Sequence, residues 1–155
     1  LRKEKYITDL EQWKKGFTFF HEVKVRFSET DMFGHLNNTV PFAYFEEARI
    51  EYFKHLGFMS DWTNPLHDTI PVVADLQCDY LKQIFFDEKL KVYVKAETIG
   101  NSSVDIHYMA IDEHGRMGFT GRGTVVQISR HTGKGVAWTE EMKTLFMGEK
   151  SLLGK

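Results

Sequence analysis

Residues 37–57, NNTVPFAYFEEARIEYFKHLG, carry one long helical pattern punctuated at both ends. Asn37, Asn38 and Thr39 supply side-chain oxygens suited to capping the free N–H groups of a helix start, and Pro41 is tolerated in a first turn. Gly57 suits the left-handed position that closes a helix. Phe42, Phe45, Arg49, Ile50, Tyr52, Phe53 and Leu56 spread over more than half of the circumference, leaving Glu47, Glu51, Lys54 and His55 as a narrow wet stripe. A helix with so little polar surface has to be enclosed by other elements.

Upstream of it the period changes. Phe19, His21, Val23, Val25 and Phe27 alternate with Glu22, Lys24 and Arg26, the pattern of a half-buried strand, and residues 28–38 (SETDMFGHLNN) are polar and turn-rich. Downstream, a loop with Trp62, Pro65 and His67 leads to four more strand patterns. In the first, Val72, Ala74, Leu76, Cys78 and Tyr80 share a face; in the second, Leu90, Val92, Val94 and Ala96 do. Gly100-Asn101-Ser102 is a turn, and residues 103–111 and 117–129 are joined by a tight hairpin at Asp112 to Gly115. Strand, long helix, then four strands with short connections predicts an α+β chain in which one long helix is wrapped by a five-stranded antiparallel sheet, the hotdog architecture. Tyr6, Leu10 and Trp13 fall at helical spacing within residues 3–15 and predict a short helical extension, so residues 1–18 read as an appendage and 19–155 as the domain. One curled sheet leaves edges and an outer face in need of cover, which predicts a homodimer or homotetramer.

Composition narrows the partners. The chain has 155 residues, with 20 Lys and Arg against 22 Asp and Glu and a net charge of -2, so it lacks the basic excess that holds a phosphate backbone, and no nucleic acid is expected. No apolar run approaches the roughly 20 residues of a membrane span. No stretch has the basic, apolar and cleavage-site segments of a secretory leader. The chain opens on Leu1 rather than Met, which leaves room for residues upstream. The single cysteine, Cys78, excludes an intramolecular disulfide framework and suits a reducing, cytoplasmic setting. It falls in an apolar row and reads as core. The seven histidines show no metal-ligand spacing, so neither a metal nor a cofactor is expected.

Chemistry concentrates in Asp31-Met32-Phe33-Gly34-His35-Leu36-Asn37-Asn38. Gly34 permits a turn that other residues resist, and the helix that starts just beyond aims N–H groups into the same space. An acid beside such a hole suits thioester cleavage: the N–H groups stabilise the oxyanion while the carboxylate attacks the carbonyl or activates water. On residue chemistry alone, Asp31 reads more readily as a turn or cap residue, which Asp near a helix start commonly is, and His35 as a surface or core histidine. Glu46 and Arg49 both fall toward the aromatic face at i,i+3 spacing and are expected to pair as a buried structural bridge. Met59, Trp62, Ile84, Phe85 and Phe86 suit the wall of an acyl tunnel or plain core.

The stretch RFSETDMFGHLNNTVPFAYFEEAR, residues 26–49, resembles the acyl-CoA thioesterases of the 4-hydroxybenzoyl-CoA thioesterase class, whose signature reads Asp-x-x-Gly-His before an aromatic helix with Glu-Glu-Ala-Arg. The likeness continues through IPVVADLQCDYLKQIFFDEKL, GNSSVDIHY and GRGTVVQI, over residues 19–130, and departs at Gln83-Ile84, where a proline is usual. The resemblance implies a hotdog fold and hydrolysis of an acyl-CoA or acyl-ACP thioester. It implies Asp31 as the catalytic carboxylate and the Asn38 N–H as the group polarising the thioester carbonyl. A further similarity to acyl-ACP thioesterases, where a His and an Asn assist, adds His35 and Asn37. Two other functions fit the same fold. An enoyl-thioester hydratase would need an Asp–His loop spacing that is not present, and a non-catalytic acyl-thioester binding module would need no acid at the helix mouth.

Overall fold

The computed structural model describes residues 5–153, and side chains through 148. β1 (Phe19–Lys24) leads through a 3-10 turn (Phe27–Glu29) into α2 (Val40–Leu56), preceded in sequence by a one-and-a-half-turn α1 (Leu10–Lys15). After a short α3 (Met59–Trp62) come β2 (Thr69–Val73), β3 (Gln77–Tyr80), β4 (Lys89–Ile99), β5 (Ser103–Asp112) and β6 (Met117–Ser129), and α4 (Glu140–Leu153) closes the described chain. The strands form one antiparallel sheet in the order β1-β4-β5-β6, with β2 and β3 one after the other along the free edge of β6. It is the hotdog arrangement, a curled sheet around α2.

Pro41, Tyr44, Phe45, Ala48, Arg49, Tyr52 and Phe53 form the buried stripe of α2, and Gly57 closes it in the left-handed region at φ 86°. Phe45, fully buried, stacks on Tyr108 of β5 at 4.3 Å between ring centroids and meets Phe119 of β6 edge-on. Gly121 makes that approach possible: a Cβ there would lie 2.5 Å from the Phe45 ring. Leu90, Val92, Val94 and Ala96 of β4 are all buried against the same core, as their alternation predicts.

The run expected as one strand over Val72–Tyr80 is broken at Asp75. The Asp75 carboxylate, rather than a ladder carbonyl, accepts the Thr124 N–H at 2.7 Å, and the chain presses on Gly123, where a Cβ would lie 2.6 Å from the Asp75 carbonyl. Leu76 and Cys78 still pack on the core, but Val72, Ala74 and Tyr80 are exposed. Burial pushes the Cys78 thiol up to about 12, which keeps it protonated and unreactive at neutral pH.

The expected Glu46–Arg49 pair does not form. Glu46 is exposed, while buried Arg49 donates instead to the Tyr108 hydroxyl at 3.0 Å. The buried stripe of α2 runs through Phe45, Ala48 and Arg49 and leaves Glu46 on the water side, where its charge needs no partner.

Among the described residues the extension is helical over Leu10–Lys15, where the Asp9 carboxylate accepts the Gln12 N–H and starts the helix. Lys3 and Glu4 of the expected helix lie outside the described residues. Ile7, Trp13 and Phe17 are buried with Met109 on the outer face of the sheet. Trp13 Nε1 donates to His107 Nδ1 at 2.8 Å, and the Lys95 ammonium donates to the Trp13 carbonyl at 2.6 Å. At the other end of the chain, α4 carries Phe146 into the core against Phe58 and Trp138. Among the described residues no helix is long and apolar enough to cross a membrane.

Candidate active site

Residues 29–37 fold back on themselves. The Asn37 N–H donates to the Glu29 carbonyl at 2.8 Å, Thr30 bridges Leu36, and the Asp31 N–H donates to the His35 carbonyl at 2.8 Å. The turn at the tip runs from Asp31 to Gly34, whose φ of 83° suits glycine. Asp31 Oδ1 accepts the N–H groups of Phe33 at 2.9 Å and His35 at 3.2 Å. Its turn-forming role is thus real, and it occupies one oxygen only. Oδ2 has no donor among the described residues.

The loop is laid against the segment after β3 by the Leu36 N–H, which donates to the Ile84 carbonyl at 2.6 Å, and by pairing of His35 with Phe85. Between them opens a cleft of about 420 Å³. Asp31, His35 and Asn38 line it together with apolar Leu36, Pro41, Ile84 and Phe119, and with Tyr80 and Lys82. Three of the four expected site residues therefore share one cavity. Asn37 is not among its walls: its amide oxygen accepts the Thr39 N–H at 3.2 Å and the Thr39 hydroxyl at 3.1 Å, which shapes the entry into α2. Thr39 itself makes no side-chain cap bond. The Asn38 N–H finds no acceptor among the described residues, so a donor at the positive end of α2 remains available to a ligand oxygen.

Two groups of the site escaped the sequence reading. The Tyr80 hydroxyl donates to the Asn38 carbonyl and pins the helix mouth from the sheet; no local spacing signals a contact across 42 residues. Burial first, with Cys78 beside it, pushes Tyr80 up to about 12, so it stays a donor. The Lys82 ammonium sits 3.1 Å from the buried Asp112 carboxylate. Burial alone would raise Asp112, but the Arg116 N–H, Lys82 and the His114 N–H reverse this and hold it well below the usual carboxylate range. Of the residues expected to suit a tunnel wall or core, Ile84 lines the cleft, Trp62 is core and Met59 packs against that core, while Phe85 and Phe86 are exposed, Phe85 edge-on to His35 and Phe86 edge-on to Phe27.

Comparison with known proteins agrees with this fold. The model of the thioesterase-like superfamily matches residues 25–146. The uncharacterized protein YsmA of Bacillus subtilis is 50% identical over 133 residues, 86% of this chain and 88% of YsmA. A DHNA-CoA thioesterase from Staphylococcus aureus superposes with a TM-score of 0.76 at 27% identity, covering 87% of this chain and 92% of that one. A thioesterase from Thermus thermophilus in complex with coenzyme A and Zn superposes with a TM-score of 0.73 at 28% identity, covering 91% and 98%.

Proposed function

The chain belongs to the thioesterase-like superfamily, and from that premise we propose that it hydrolyses an acyl-CoA thioester, with Asp31 as the acting carboxylate and the Asn38 N–H as the oxyanion donor. The observation that carries this reading is that Asp31, whose Oδ2 meets no donor among the described residues, and Asn38, whose N–H meets no acceptor among them, line the same cleft. The carboxylate takes a proton from water as the water oxygen attacks the thioester carbon, or attacks that carbon itself to give a mixed anhydride that water then opens. Charge developing on the carbonyl oxygen is met by the N–H at the helix start. Collapse breaks the C–S bond, and the thiol leaves carrying a proton. His35 shapes the mouth of the cleft, and Asn37 fixes the turn that aims Asn38.

Coenzyme A as the carrier is supported by the relatives that act on or bind CoA; an acyl carrier protein is the other candidate. Residues 19–155 are the thioesterase domain and 1–18 its appendage in this reading. Exposed Phe27, Met32, Phe33, Phe85 and Phe86, carried by the Asp31 loop, its approach and the segment after Ile84, support a homodimer or homotetramer in which a second copy walls the cleft.

Thiol release from a panel of acyl-CoA and acyl-ACP thioesters tests the reading. Turnover of an acyl-CoA that collapses in Asp31→Asn supports it. No turnover of any thioester, or undiminished turnover in folded Asp31→Asn, overturns it.

A further inference from the structure

Glu29 stands two residues before Asp31, and it is not among the walls of the cleft. What it touches is the root of the loop that carries Asp31. Its carbonyl accepts the Asn37 N–H, closing the stem of the loop. Its carboxylate Oε1 accepts both the Tyr44 hydroxyl and the Arg26 N–H, each at 2.8 Å, while Oε2 faces the Arg26 guanidinium at 3.5 Å. Tyr44 is a buried residue of the first turns of α2. Burial alone would raise Glu29, but the Arg26 N–H, the Tyr44 hydroxyl and the Arg26 guanidinium reverse this, so the acceptor is anionic at neutral pH. Burial and the adjacent Glu29 charge push Tyr44 up, so the donor keeps its proton.

The loop thus meets α2 twice. Its far end runs through Asn38 and Thr39 directly into the helix, and its near end is tied to the helix by the Glu29–Tyr44 bond. Asp31 projects from the near strand of this stem and the Asn38 N–H from the far end. The stem's own hydrogen bonds and its contact with Ile84 and Phe85 shape the loop, and how the stem sits on α2 then sets the reach between carboxylate and oxyanion donor. The fold has other anchors for the helix, Phe45 and Phe53 among them, whereas the near end of the stem has this one side-chain tie to α2 among the described residues.

We propose that Glu29, acting through Tyr44, is a positioning residue that holds the Asp31 carboxylate at working reach of the helix mouth. This rests on the reading of Asp31 as the acting carboxylate. Displacing a catalytic group by about 1 Å is enough to cost on the order of a hundredfold in rate.

The test compares Glu29→Ala, Tyr44→Phe, their double variant and Glu29→Gln, each with Asp31 intact and with Asp31→Asn, with turnover counted per folded molecule. With Asp31 intact, kcat should fall at least about tenfold in Glu29→Ala and Tyr44→Phe with KM held within about twofold, and the double variant should be no worse than the poorer single one. Glu29→Gln, whose amide oxygen accepts the same two donors, should keep most of the rate. With Asp31→Asn, none of these changes should lower the residual rate further. Full kcat in folded Glu29→Ala, or the same fractional loss with Asp31→Asn, overturns the positioning role alone. Should Glu29→Ala not fold, Tyr44→Phe decides by the same criteria. A wild-type protein that cleaves no thioester, or undiminished Asp31→Asn, overturns the functional reading and this inference with it.

Discussion

Arg49 Nη1 donates to the Tyr108 hydroxyl at 3.0 Å, so a buried guanidinium on the central helix is held by a neutral phenol of the sheet and not by Glu46 three residues away. Tyr108 is fully buried and pushed up by that burial, so it remains protonated beside the charge. Removing its hydroxyl leaves a buried charged donor without its acceptor. Tyr108→Phe should cost about 1–3 kcal/mol, and exposed Glu46→Gln should stay within about 0.5 kcal/mol, both read from urea unfolding. A Tyr108→Phe protein as stable as wild type would show that the bond contributes nothing.

Asp31→Asn should lower thioester turnover by about a hundredfold or more with the thermal midpoint little changed. The amide can still accept the Phe33 and His35 N–H groups through its oxygen, so the turn survives, while the free oxygen site loses its basicity and nucleophilicity. Steady-state kinetics beside a melting curve separates the two effects.

Asp112 makes stability sensitive to acid. Its folded pKa lies below its unfolded one, so the folded chain binds fewer protons; its contribution is complete above the unfolded carboxylate value near ~3.9 and is lost as pH falls through the folded value. Melting temperatures should be insensitive to this group near neutrality and drop below about pH 4. Asp112→Asn should be less stable at pH 7 and show a shallower drop in acid. An unchanged acid slope would contradict the assignment.

Trp13→Ala should cost about 3–5 kcal/mol, since it empties a buried site and takes the donor from His107. Its turnover per folded molecule should match wild type, because the extension covers the outer face of the sheet and the cleft opens beside α2. A kinetic defect as deep as that of Asp31→Asn would place the extension in the chemistry.

Much of the fold is local and was readable as such. Asn37 to Gly57 announces its helix by period and punctuation, Leu90 to Ala96 announces its strand by alternation, and Asp31-x-x-Gly-His marks a turn before a helix, because each of these depends on neighbours within a few residues. The break at Asp75 stayed hidden, since alternation runs through it unbroken and only Thr124 on another strand draws that carboxylate into the ladder. The helix α4 was also missed, although Thr139 before Met142, Leu145 and Phe146 carries a cap and a helical period.

The sequence by itself determined one long helix, the strands that enclose it and a carboxylate set at the helix mouth, since backbone preference and hydrophobic period act over a turn or a pleat. Tertiary structure alone decided the partners: Tyr108 for Arg49 across 59 residues, His107 for Trp13 across 94, and Tyr44 for Glu29 at the root of the Asp31 loop. Those choices follow from sheet register and from which side chains burial brings within hydrogen-bond reach, quantities that exist only once the sheet has closed on the helix.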